Sequence, residues 1–197
     1  MKIYCVGDSI TYGATLEENL SLRWTDLAAA QTGHHLVNCG LNGDTTAGMM
    51  LRCHTKIFPL KPDMVIFLGG TNDICHTWEY RQACANVVSI VRNAQAEGIK
   101  IMIGIPLPVN SKVMCAQPWD PTRNASHIAE QFEQYARWIS IYCRERNIPT
   151  IDFHQSFLRA DGSVRGELFS DALHPNAEGH RLMAEALCQA LETMAEG

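Results

Sequence analysis

Ser9 stands in the run Val6-Gly7-Asp8-Ser9-Ile10-Thr11, directly after the first apolar segment of the chain. A serine hydroxyl is a weak nucleophile until a base removes its proton. The base needs a third group that holds its tautomer and stabilises its cation. The oxyanion that grows on an attacked carbonyl needs donors already in place. Three later segments offer those parts. Asp171-Ala172-Leu173-His174-Pro175 sets a carboxylate three residues before an imidazole. A turn with that spacing can bring the carboxylate to one ring nitrogen and leave the other facing Ser9. Histidine suits the role because its ordinary pKa lies near neutral pH. Gly70-Thr71-Asn72-Asp73 offers the Asn72 amide, a neutral donor. Asn38-Cys39-Gly40-Leu41-Asn42-Gly43-Asp44-Thr45 offers Gly43, whose N–H no Cβ screens from a substrate. The Ser9 N–H can face the same carbonyl. Together these residue types describe acyl transfer.

Each segment also has a plainer reading. Ser9 could cap the next helical turn. Asp171 could cap the last helix, with His174 incidental. Asn72 could form an Asx turn or an N-cap, and Gly43 could serve only as a turn glycine beside the capping candidates Asp44 and Thr45. The spacing leaves both readings open at every position. The acyl-transfer reading gains weight because all four segments follow strand-like runs or sit in the final loop.

Those runs must bring the segments together. Lys2–Val6, Leu36–Cys39, Met64–Leu68, Ile99–Ile105 and Pro149–Asp152 read as strands. Their apolar residues are continuous rather than alternating, which marks strands buried on both faces, as in a parallel sheet. Between them, Trp24–Gln31, Thr45–Ile57, Tyr80–Glu97, Ser126–Arg146 and Pro175–Met194 read as helices. Gly33 and Gly98 serve as stops, and Pro175 takes a favoured first-turn place. Strand and helix in alternation predict a doubly wound α/β sandwich. In such sheets ligands bind at the carboxyl ends of the strands. A long connection, Pro106–Asn124, leaves the fourth strand and is predicted to overhang that edge, with Met114 and Trp119 facing substrate. Cys75, His76 and Trp78 follow the Asn72 segment, and Cys75 and Trp78 are candidates for lining an acyl pocket. Asp8 and Asp73 read as structural hydrogen-bonding residues. Met49, Met50, Trp138, Ile139 and Ile141 read as helix core. His34, His35, His54, His127, His154 and His180 have no matching partner in the sequence.

A chain of 197 residues with 46% hydrophobic and 19% charged residues suits one globular domain over residues 1–197. A net charge of -5 gives no footprint for nucleic acid or an anionic membrane. The first apolar run is too short for a signal sequence and no run reaches the length of a membrane span. The eight cysteines are scattered without a C-x-x-C pair, which predicts reduced thiols in a cytoplasmic protein rather than disulfides or a zinc site. No metal or cofactor is expected. The anticipated partner is a small acyl ester, and a homo-oligomer is compatible with the composition.

Taken in order, the four segments resemble the SGNH hydrolases, also called the GDSL esterases and lipases. The resemblance runs from Gly7-Asp8-Ser9 to Asp171-x-x-His174, with Ile10 where the family nickname has leucine. Asn38–Thr46 and Gly69–Asp73 are similar to members that cleave short acyl esters, including the platelet-activating-factor acetylhydrolase-like branch. The resemblance implies a flavodoxin-like αβα sandwich with a parallel five-stranded sheet of order 2-1-3-4-5. It also implies metal-free hydrolysis through an acyl-enzyme. Ser9 would attack, His174 would carry the proton, and Asp171 would orient His174. Ser9, Gly43 and Asn72 would hold the oxyanion. Acetylated sugars, lysophospholipids, aryl esters and acyl thioesters all fit that chemistry. A metal-assisted phosphohydrolase using Asp8, Asp73 and His174 is a rival from another class, and a non-catalytic binding domain is a second.

Overall fold

The computed structural model describes residues 1–16, 18–111 and 125–196. In chain order the elements are β1 (Lys2–Gly7), α1 (Ser9–Tyr12), α2 (Trp24–Thr32), β2 (His35–Gly40), α3 (Thr46–Arg52), β3 (Met64–Leu68), α4 (Thr71–Thr77), α5 (Arg81–Ala96), β4 (Lys100–Ile105), α6 (Ala125–Glu145), β5 (Thr150–Asp152), α7 (Phe153–Ser156) and α8 (Ala177–Glu196).

The strands are buried on both faces because their apolar runs supply two cores at once. Tyr4, Val6, Val65, Phe67, Ile101 and Ile103 point to one side, where α3, α5 and α6 add Met49, Val87, Ile90, Phe132, Tyr135 and Ile139. Ile3, Cys5, Met64, Ile66, Leu68 and Met102 point to the other, against Trp24 and Ala28 of α2 and Met183, Ala184 and Leu187 of α8. Trp24 is fully buried and meets Phe153 edge-on, ring centroids 5.5 Å apart. Among the described residues the strands form one sheet of order β2-β1-β3-β4-β5, and every neighbouring pair is parallel. This is the predicted three-layer architecture.

Register sets the level of the functional edge. Gly7 pairs with Gly40 of β2 and with Leu68 of β3. Three strands therefore end in line, and the loops that follow them start side by side.

The differences from the predicted elements are local. The helix expected over Thr45–Ile57 is α-helical only to Arg52; a wider π-helical turn covers Cys53–Ile57 and a 3-10 turn containing Pro59 follows. The short helices α1, α4 and α7 fall outside the predicted elements, because four to seven residues carry too little apolar period to be read. Pro175 lies outside α8. It forms an isolated bridge with Phe169, and Asn176 starts the helix instead, its Oδ1 accepting the Gly179 N–H at 3.1 Å.

Candidate active site

Only Asp8 separates β1 from α1. Asp8 caps that helix, its Oδ1 accepting the Ile10 N–H at 2.9 Å. Ser9 is thereby the first residue of α1 rather than its cap, and its N–H makes no bond to protein among the described residues. Asp8 is completely buried, and its Oδ2 has no hydrogen-bond partner among the described residues. Burial pushes its pKa up to about 6, although the Ile10 N–H and the neighbouring His174 draw it down.

The loop before α8 is a tight structure of its own. Ser170 N–H donates to the His174 carbonyl at 2.9 Å, Asn176 N–H to Leu168, and Asn110 N–H to Ala172. Thr15 Oγ1 donates to the Pro175 carbonyl at 2.7 Å, tying the loop to the segment after α1. Within it, Asp171 Oδ1 accepts the N–H groups of Leu173 and His174, both at 2.7 Å. Its other oxygen meets His174 Nδ1 at 2.8 Å. Partial burial works against the charge on Asp171, but the two N–H groups and the imidazole outweigh it and hold its pKa below the usual carboxylate value. An ionised carboxylate only accepts, so Nδ1 carries the ring proton. Nε2 is then an acceptor, and it lies 2.8 Å from Ser9 Oγ. Residues 165 positions apart in the chain are joined by that contact.

The third part comes from the loops after β2 and β3. Gly43 has φ +74, a left-handed conformation that favours glycine. A Cβ built there would point into open space, and the Gly43 N–H has no protein acceptor among the described residues. Asn72, in the first turn of α4, does not cap it; Gly70 holds that place. The Asn72 side chain reaches across instead, Nδ2 donating to the Asp44 carbonyl at 2.9 Å. That bond identifies the nitrogen of the amide and uses one of its two hydrogens. Gly70 has φ +113, and a Cβ there would lie 2.3 Å from the Tyr135 ring.

The GDSL-like lipase/acylhydrolase family matches this chain over residues 5–182. The chain belongs to that family. It is a carboxylic ester hydrolase by that membership. The GDSL-like enzyme is 28% identical to Esterase TesA of Pseudomonas aeruginosa over 174 residues, 86% of this chain and 77% of that protein. It is 23% identical to an uncharacterized lipoprotein YqeF of Bacillus subtilis, over 94% of this chain and 87% of that one. Its fold is similar to that of a G-D-S-L family protein from Desulfitobacterium hafniense, with a TM-score of 0.79, 24% identity and coverage of 96% and 98% of the two chains.

The remaining candidates of the GDSL-like enzyme fare differently. Met114 and Trp119 lie outside the described residues. Cys75 is half-buried against the core on the α5 and α6 side, and burial, with the charge of Asp8, pushes its thiol up to about 11. Trp78 is only 3% exposed; it ends α4 with φ +62 and stacks on His127, ring centroids 6.3 Å apart. It belongs to the buried cluster on the α5 and α6 side of the sheet. Both oxygens of Asp73 are taken by Thr46, through its N–H at 2.8 Å and its hydroxyl at 2.6 Å. Among the described residues no group of three or more His, Cys, Asp and Glu side chains is placed to hold a metal ion, and no helix is long and apolar enough to cross a membrane. Sequence reasoning missed Arg52, which binds Asp44 and the ends of β1 and β2. Its only sequence signal was a basic residue eight positions after an aspartate, too common to single out.

Proposed function

We propose that the chain, acting as one domain over residues 1–197, hydrolyses small acyl esters through an acyl-enzyme on Ser9. The observation that carries this reading is the continuous relay of two 2.8 Å contacts, Ser9 Oγ to His174 Nε2 and His174 Nδ1 to Asp171. His174 takes the hydroxyl proton as Ser9 Oγ bonds to the acyl carbon. Asp171 holds the ring with Nδ1 protonated and balances its cation. The oxyanion meets the N–H groups of Ser9 and Gly43 and the second hydrogen of Asn72 Nδ2. Collapse expels the alcohol, which takes the proton from His174. Water then attacks the ester carbonyl, again giving its proton to His174, and leaves as the second oxygen of the carboxylic acid while Ser9 regains its hydrogen.

A second substrate reading, removal of acyl groups from carbohydrates, is favoured by one cavity. About 380 Å³ in size, it is lined by Asn110, Ser111, Arg159, Ser163 and Glu167, with Val164 and Gly166 among them. Asn110 also bonds to Ala172 in the His174 loop. The hydroxyl, amide and charged groups of this mixed lining can hold a hydroxyl-rich leaving group. The metal-assisted phosphohydrolase has less support, since Asp73 is committed to Thr46. A reducing compartment such as the cytoplasm is in keeping with the free thiols of Cys5, Cys53, Cys84 and Cys143, all buried.

The test is hydrolysis of p-nitrophenyl acetate, longer acyl esters, acetylated sugars and acyl thioesters by wild type beside Ser9→Ala. Loss of every activity in the variant, with loss of fluorophosphonate labelling, is the expected result. Activity that persists in Ser9→Ala overturns the mechanism.

A further inference from the structure

One guanidinium ties together the loops that carry the oxyanion donors. Arg52 Nε donates to Asp44 Oδ2 at 2.8 Å, and Nη2 lies 2.6 Å from the same oxygen. Nη1 donates to the Cys39 carbonyl of β2 at 2.9 Å, and Nη2 to the Gly7 carbonyl of β1 at 3.2 Å. The Gly7 carbonyl also accepts the Leu41 N–H at 3.1 Å, which starts the turn leading to Gly43. Asp44 is the junction. Its carboxylate takes Arg52, and its backbone carbonyl takes Asn72 Nδ2. Its N–H closes the turn on Leu41 at 3.1 Å.

The carboxylate can sit there only because residue 48 is glycine. A Cβ on Gly48 would lie 2.0 Å from Asp44 Oδ1. The pair is well shielded, with side chains 20% and 9% exposed for Arg52 and Asp44. Exposed ion pairs contribute little. This one is shielded, two-pronged and extended by two carbonyl acceptors, an arrangement that only the planar fork of arginine matches.

We infer that Arg52, acting through Asp44, is a positioning residue for the oxyanion donors: it sets the Gly43 N–H and the Asn72 amide against the strand end that presents Ser9. The inference rests on the reading of Gly43 and Asn72 given above. Arg52 itself touches no reacting atom. Donors aimed at a developing oxyanion lose much of their effect when displaced by a fraction of an ångström, so the clamp acts on kcat rather than on substrate binding.

The experiment compares Arg52→Gln, Arg52→Lys and Gly48→Ala with wild type, using p-nitrophenyl acetate. Rates are normalised to active sites counted by the endpoint of fluorophosphonate labelling. Arg52→Gln is expected to lose about 10-fold or more in kcat, less than the roughly 10²–10³ of deleting a donor outright, with KM nearly unchanged. Arg52→Lys, which can keep Asp44 but not both carbonyls, is expected to fall between. Asn72→Ala is expected to cost less in the Arg52→Gln background than in wild type, because the donor is already misplaced. A purely structural arginine would lower the melting temperature and the count of active sites but leave normalised kcat at the wild-type value. That result in both Arg52→Lys and Gly48→Ala overturns the inference. If it is obtained while Ser9→Ala is dead and Asn72→Ala is impaired, only the positioning role fails. Wild-type rates in Asn72→Ala would remove the oxyanion reading and this inference with it.

Discussion

Asn72 and Asp44 are joined across two loops by a 2.9 Å bond from side-chain Nδ2 to backbone carbonyl. The bond leaves one amide hydrogen unspent, and it locks the orientation of the group that carries it. Asn72→Ala is expected to lose about 3–4 kcal/mol of barrier lowering, or roughly 10²–10³ in kcat. The fold should survive, because Gly70 rather than Asn72 occupies the cap position of α4. Kinetics with p-nitrophenyl acetate beside a thermal melt separate the two effects. A variant within twofold of wild type would remove Asn72 from the oxyanion site.

Asp171→Asn is expected to act through the ring tautomer. The amide can still accept the Leu173 and His174 N–H groups that now bind Oδ1. Its NH₂ would face Nδ1, however, and favour the tautomer with the proton on Nε2. Nε2 then cannot accept from Ser9. Loss of up to about 10⁴ in kcat is expected by the behaviour of such relays elsewhere. Single-turnover burst kinetics would place the loss in acylation.

Two buried groups pull stability in opposite directions with pH. His180 is buried, and burial, helped by the nearby charges of Arg23 and His174, lowers its pKa to about 4. Its contribution is complete above the ordinary histidine value and is lost as pH falls toward 4, where the unfolded chain binds the extra proton. Asp8, raised to about 6 by burial, does the reverse. Its contribution is complete below the ordinary aspartate value and is lost as pH rises through 6. Each shift corresponds to about 3 kcal/mol. Asp8→Asn should therefore gain stability relative to wild type as pH goes from 4 to 7. His180→Gln should gain relative to wild type in the opposite direction, as pH goes from 7 to 4. Melting curves at four pH values across that range read both differences. Parallel curves for a variant and wild type would contradict the assignment for that residue.

Gly70→Ala tests the packing that holds α4. The residue has φ +113, and the added methyl would meet the Tyr135 ring at 2.3 Å. Tyr135 has little freedom to yield, since it is fully buried and its hydroxyl donates to the Gly69 carbonyl at 3.0 Å. A loss of about 2–4 kcal/mol is expected from backbone strain and overpacking together, read as a drop in the urea midpoint. Gly33→Ala is the control: its φ is also positive, but nothing lies within 4 Å of the added atom, so only the smaller backbone term should appear.

The architecture was legible because it depends on composition over whole segments. Met64–Leu68 is apolar at every position and buried at every position, as a strand covered on both sides must be. The same logic placed β1 and β4 within a residue or two. The family was legible because its markers are local runs of fixed residue types. Pro175 was misplaced because a proline before a helix satisfies the same local rules whether it starts the helix or, as here, pairs with Phe169 just before it. The burial of Trp78 goes with a left-handed backbone at that position, which residue type does not announce.

Residue order alone determined which side chains follow which strand, and parallel pairing then sends all those loops to one edge. What it could not contain is distance. The 2.8 Å approach of Ser9 to His174 follows from register, from Thr15 holding the Pro175 carbonyl and from the bonds that fold residues 168–176 on themselves. The fork of Arg52 around Asp44 likewise joins β1, β2 and α3 through contacts made only when the sheet is assembled. Such contacts are set by packing between segments far apart in the chain, and no local pattern of residues encodes them.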